Sequence, residues 1–173
     1  MEKYINNTDT TFIDWLNENY PDKNTWKNIK KLDCSNNNLT SLSGIEELIN
    51  LEELDCSNNN LTSLSGIEEL INLTNLYCDE NQLTFIIEIK KLINLIEFEC
   101  NNNQITSLNG VEELINLISL ICFHNKLTSL NGISNLINLK YLSCYNNKIT
   151  DLNGIKKLDN LKQLYCFNNR ITK

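Results

Sequence analysis

Alanine is absent from this 173-residue chain, and proline, histidine and methionine occur once each. A single histidine, with no GxSxG, Walker A or HExxH spacing anywhere, leaves no nucleophile and base at motif distance. No apolar run approaches the ~18 residues of a membrane span, and the stretch from Met1 to Thr8 has no signal-peptide core. The expectation is a cytoplasmic chain without a membrane partner. Basic residues are in deficit, 15 Lys and Arg against 22 Asp and Glu, and a net charge of -7 argues against nucleic acid as a partner.

What is present in excess is periodic. The chain holds 32 Asn and seven Cys, and Cys34, Cys56, Cys78, Cys100, Cys122, Cys144 and Cys166 follow one another at intervals of 22 residues. A fixed period decides architecture before local propensity does. With Leu51 as position 1, residues 51 to 61 read LxxLxCxxNxL, and the frame returns with Leu73, Leu95, Leu117, Leu139 and Leu161 in first place. This resembles the leucine-rich repeat family in its 22-residue form, similar to internalins and to a leucine-rich regulatory subunit of protein phosphatase 1, with Cys in place of the usual Leu at position 6. Four N-x-Thr triplets, at Asn6, Asn38, Asn60 and Asn72, are read as repeat chemistry rather than as glycosylation sites because three of them fall inside the repeat.

The resemblance covers residues 29 to 173, six full units and a truncated seventh. It implies an α/β solenoid, a right-handed coil with a concave parallel sheet and convex 3-10 or irregular segments, ~34 Å long at sheet spacing. Positions 1, 4, 6, 11, 14, 17 and 20 are expected in the core. The Asn columns at positions 9 (Asn37 to Asn169) and 22 (Asn28 to Asn160) are expected to satisfy backbone groups between units. Glycine at position 16 (Gly44, Gly66, Gly110, Gly132, Gly154) suggests a positive φ, with Glu88 making the third unit different. Residues 1 to 28 read as a helical cap of the same domain, begun by Asp9 or Thr10, carrying Phe12, Ile13, Leu16 and Tyr20 with Trp15 beside them, and stopped by Pro21; Trp26 belongs to a degenerate preceding unit.

The cysteine column invites a metal reading, which ladder geometry opposes. Neighbours ~4.8 Å apart and next neighbours ~9.6 Å apart cannot converge on a tetrahedral zinc. Reduced, buried thiols that bind no cofactor are expected, in keeping with a reducing compartment. Carboxylate pairs such as Glu68 and Glu69 recur at convex positions and read as a solvated face, so the chain is expected to be a non-enzyme.

Outward positions 3, 5, 7 and 8 of the concave sheet change chemistry along the rod. Early units present acids, among them Asp55, Asp79, Glu97 and Glu99, with Tyr77 the lone aromatic; late units present Ile121, Phe123, His124, Tyr141, Tyr145, Tyr165 and Phe167. Residues 1 to 119 carry 20 Asp and Glu against 7 Lys and Arg, a net of -13, while residues 120 to 173 carry a net of +6, with 2 against 8. The family resemblance implies protein binding on this face, and the expected ligand is a protein or peptide with basic and aromatic segments. The alternative is a structural solenoid associating end-on, as a weak homodimer, through the last unit.

Overall fold

The computed structural model describes residues 11–172. Each unit contributes one three-residue strand: β1 (Lys31–Asp33), β2 (Glu53–Asp55), β3 (Asn75–Tyr77), β4 (Glu97–Glu99), β5 (Ser119–Ile121), β6 (Tyr141–Ser143) and β7 (Gln163–Tyr165). They form one parallel sheet in chain order, and the register advances by one repeat at every step: Leu54 lies beside Leu76, Leu76 beside Phe98 and Leu120 beside Leu142. This is an α/β leucine-rich repeat solenoid.

The period forces the core. Leu51, Leu54, Cys56, Leu61, Leu64, Ile67 and Leu70 of the second unit are all fully buried, as are their counterparts through the sixth unit with few exceptions. One unit has nothing of its own to cover these residues; stacked neighbours turn them into one continuous cluster. In the last unit Leu161, Leu164 and Cys166 are only half-buried.

The two asparagine columns solve different backbone problems. Asn103, buried, accepts the Leu83 amide at 2.9 Å and donates to the carbonyls of Cys78 at 3.0 Å and of Cys100 and Asn101 at 3.2 Å. The same set recurs for Asn81 and Asn125. At position 22, each carboxamide from Asn50 to Asn160 donates to the position-21 carbonyl of the preceding unit, as Asn72 does to Ile49 at 3.0 Å.

The convex side carries 3-10 turns at Ile45–Glu47, Ile67–Glu69, Ile87–Lys91 and Asn153–Ile155. Gly44, Gly66, Gly110 and Gly132 have φ between 100° and 104°. Gly154 departs from the expectation: its φ is not positive, and what requires glycine is space, since a Cβ there would collide with the Leu130 carbonyl group. Where Glu88 replaces glycine, the 3-10 segment is five residues long, and Phe85 and Ile87 stand exposed at positions 13 and 15, which are polar in the other units.

The cap helix, α1 (Phe12–Asn19), begins at Thr11, whose hydroxyl accepts the Asp14 amide at 3.2 Å. The expected caps Asp9 and Thr10 lie outside the described residues. Phe12, Trp15 and Leu16 join the common core; Trp15 is thus a core residue, while Ile13 and Tyr20 are half-buried. Trp26, in a short 3-10 segment (Lys23–Asn28), is buried and donates its indole N–H to the Tyr20 carbonyl at 2.8 Å, tying the cap to the coil.

Candidate protein-binding surface

On the concave face the outward side chains form three rows. Sheet register aligns Lys31, Glu53, Asn75, Glu97, Ser119, Tyr141 and Gln163 in the first row, and Asp33, Asp55, Tyr77, Glu99, Ile121, Ser143 and Tyr165 in the second. Backbone pairing continues past the strands, as from the Asn58 amide to the Asp79 carbonyl and from the His124 amide to the Tyr145 carbonyl. That extension aligns Ser35, Ser57, Asp79, Asn101, Phe123, Tyr145 and Phe167 in the third.

The third row carries the aromatic site. Phe123 stacks on Tyr145 with centroids 4.4 Å apart and planes 8° from parallel, and Tyr145 stacks on Phe167 at 4.5 Å and 10°. Tyr145, between the two other rings, and Phe123, which also meets His124, are half-buried, while Phe167 is 54% exposed. His124 meets Phe123 and Tyr145 edge-on, both at 5.6 Å. Tyr141 and Tyr165 approach to 5.7 Å on the neighbouring rows. Ile121 is half-buried, and Ser143, next to it in the second row, is buried, so the aromatic surface there is not continuous.

Position 8 is not a sheet position. Asn36, Asn58, Glu80, Asn102, His124, Asn146 and Asn168 all have φ between 50° and 59°, the left-handed turn that ends each strand segment. Asn and His tolerate it; Glu80 holds it at greater cost. His124 is therefore presented by a turn, its Nε2 2.7 Å from Asn146 Nδ2.

The acidic half is a set of crowded carboxylates. Tyr77 donates its hydroxyl to Glu97 at 3.0 Å, and Asn75 donates to the same oxygen at 2.9 Å. Asp55 is occupied by the amide and hydroxyl of Ser57, at 2.9 and 2.6 Å. Burial raises the carboxyl pKa values of Asp79 and Glu99 above their ordinary values, and repulsion adds to it, from Asp55 and Glu80 on Asp79 and from Asp79, Glu97 and Asp55 on Glu99. Asn101, beside Asp79 in the third row, is buried with its Oδ1 unpartnered. Sequence reading missed Asn101, because an Asn among 32 gives no signal of its own.

A raised folded-state carboxyl pKa means that the folded chain holds protons the unfolded chain has released, so this contribution to stability falls as pH rises. Stability from Asp79 and Glu99 is expected to increase on acidification from neutral pH toward the ordinary carboxylate range, opposed only at lower pH by Asp33, which Ser35 holds below its ordinary pKa. Asp79→Asn and Glu99→Gln should each raise the melting temperature at pH 7 and flatten this pH dependence. Calorimetry at several pH values checks both; a lowered melting temperature in both variants would contradict it.

The stacked sheet, shared core and asparagine ladder define a leucine-rich repeat protein. The chain belongs to that family, whose description, "Leucine Rich repeats (2 copies)", matches residues 27–70, 115–157 and 137–173. Among solved structures it is similar to the functional domain of InlJ from Listeria monocytogenes, described as including a cysteine ladder, at 31% identity and a TM-score of 0.67 over 87% of this chain and 37% of that one. A leucine-rich repeat protein of Leptospira interrogans gives 32% identity and a TM-score of 0.63 over 83% of this chain and 44% of that one. Internalin C2 of Listeria monocytogenes gives 25% and 0.57, covering 82% of each chain. This chain thus spans less than half of the first two. Comparison with curated proteins gives no match.

Proposed function

We propose that this chain is a non-catalytic protein-interaction module whose ligand lies along the concave sheet. Family membership supports the general role, and the change along the third row, from Asp79 and Asn101 to the Phe123, Tyr145 and Phe167 stack, supports the site. A ligand with an aromatic or apolar segment extends the ring stack across Phe167 and Tyr165. Its basic segment seats on Asp79 and Glu99, where a cation relieves their repulsion and the open Asn101 oxygen accepts a donor. Such a ligand is steered by a field that is negative over the first four units. The free thiols fit a reducing, cytoplasmic setting.

The triple substitution of Phe123, Tyr145 and Phe167 by Ser should leave the fold intact and weaken capture of the native partner ~100-fold or more, since aromatic anchors contribute ~2 kcal/mol each at hot spots. Phe85→Ser, which removes an exposed convex aromatic, should change nothing. Equal capture by the triple variant and wild type would discard this surface as the site.

A second reading is end-on assembly through the last unit, favoured by the partial exposure of Leu161, Leu164 and Cys166 and by Ile171 at 39%. In that case Leu164→Glu lowers the mass of the particle and concave substitutions do not.

A further inference from the structure

One exposed apolar column is used by neither reading. Position 21 follows a buried Leu and precedes the position-22 Asn, and in five successive units it is isoleucine: Ile49, Ile71, Ile93, Ile115 and Ile137, each 51% to 58% exposed. At sheet spacing they form a straight stripe ~19 Å long, of the ~300–600 Å² class that marks functional patches on monomeric proteins. The asparagines that follow these isoleucines line, with the position-2 side chains and Lys27, a groove of about 950 Å³.

The ends of the column carry opposite charges: Lys27 precedes Ile49 by one repeat, and Asp159 follows Ile137 by one repeat. Read along the coil, the column is one cation, five isoleucines and one anion, which is self-complementary when reversed. We propose that this face is a homodimer interface in which a second copy of the chain lies antiparallel, with the two-fold axis near Ile93. Each Ile49 then faces Ile137 of the other copy, each Ile71 faces Ile115, and Lys27 faces Asp159.

The position-2 column, beside it across the groove, is reversed by the same operation. It reads Lys30, Glu52, Thr74, Ile96, Ile118, Lys140 and Lys162. Reversal sets Glu52 against Lys140 and Ile96 against itself. Thr74 faces Ile118 and Lys30 faces Lys162, so this column contributes the Ile96 contact and one carboxylate, Glu52, shared between Lys140 of the other copy and Lys30 of its own chain at 2.5 Å. The long-range field agrees: antiparallel packing lays the -13 half of one copy over the +6 half of the other, whereas parallel packing opposes like with like. An isologous interface requires a self-complementary patch, and this column is one.

Sedimentation velocity over a concentration series tests the pairing. The wild type is expected to associate to a dimer in the micromolar range, and Ile71→Ser/Ile93→Ser/Ile115→Ser, with an unchanged circular dichroism spectrum, to associate ~10-fold more weakly or worse. Lys27→Asp alone and Asp159→Lys alone should each weaken the dimer, and the two combined in one chain should restore it. A monomer at high micromolar concentration, a dimer indifferent to the isoleucine variant, or a charge-swapped double variant no better than its singles would each overturn the proposal. Loss of the dimer on Leu164→Glu with no effect of the isoleucine variant would overturn it in favour of end-on assembly.

Discussion

Raising the pH from about 8 to about 10.5 is expected to unfold this protein, through its thiols. Cys34, Cys56, Cys78, Cys100, Cys122 and Cys144 have no solvent exposure. Burial holds all six thiol pKa values above the ordinary 9.0, to about 12 for Cys34 and Cys144 and well above 9.0 for Cys56, Cys78 and Cys122. The secondary causes differ: the charges of Asp55 and Asp33 act on Cys34 and those of Asp79 and Glu99 on Cys100, while neighbouring thiols act on Cys56, Cys78, Cys122 and Cys144. A raised folded-state pKa contributes stability below the unfolded value that is lost as pH rises through the folded one, so the window opens near 9.0 and runs to about 12. One pH unit above the unfolded pKa each thiol costs ~1.4 kcal/mol, and six together cost on the order of 8 kcal/mol, comparable with the ~5–15 kcal/mol that holds a typical domain. A chain with one buried thiol would lose little over the same range.

Two measurements check this. Circular dichroism during alkaline titration should show one cooperative loss of structure, with its midpoint moved up by Cys78→Ala/Cys100→Ala if the small cavities are tolerated. Thiol reagent at neutral pH should label Cys166 readily, since it is half-buried in the last unit, and the other six only on unfolding. Rapid labelling of four or more of the seven, or a fold unchanged at pH 11, would show that the ladder is open to solvent.

The repeat period made most of the fold legible in advance, because a 22-residue interval fixes which residues stack before any contact is known. The buried column at position 6 and the asparagines at position 9 follow from it directly. Where a repeat position meets a turn, the period is silent about direction. Position 8 has the parity of the inward positions 4 and 6, yet the chain turns left-handed there, and His124 is carried out into solvent with the turn. Gly154 sits in the glycine column for a different reason from its neighbours, an approach of backbone to backbone that no single-chain pattern records. In the candidate site the aromatic residues were readable as letters, but their packing into one stack, which leaves Phe167 as the open face, depends on side-chain geometry. Asn101 and Ser143 hold outward positions and are nonetheless buried, which the repeat period does not mark. The isoleucine column was visible as a repeated letter, while its exposure depends on the chain edge lying outside both the sheet and the convex turns.

Asn103→Asp should destabilise the fold by ~5 kcal/mol, and Asn103→Ala by ~3 kcal/mol. The difference follows from what each change leaves behind. The Cys78 carbonyl accepts from both Asn81 and Asn103, and the Cys100 carbonyl from both Asn103 and Asn125, so the carbonyls keep a donor when Asn103 is lost. The Leu83 amide keeps nothing, because Asn103 Oδ1 is its acceptor, and a buried orphan amide together with a small cavity accounts for the alanine cost. Aspartate retains that acceptor but turns a carboxylate oxygen toward three carbonyls, which requires either a buried charge or an uptake of a proton. Asn169→Ala serves as the control, since Asn169 spans the same kind of joint, with the Ile149 amide at 3.0 Å, but is half-buried in the last unit. Its cost should be the smallest of the three. Because each ladder asparagine bridges two units, the central substitutions cut the coil where its two halves join, and a stack held by nearest-neighbour contacts then loses cooperativity as well as stability. Denaturant unfolding should show a lower midpoint and a shallower slope for both Asn103 variants, with accelerated hydrogen exchange at Leu83. Equal midpoints for Asn103→Ala and Asn169→Ala would mean that the ladder is not what joins the units.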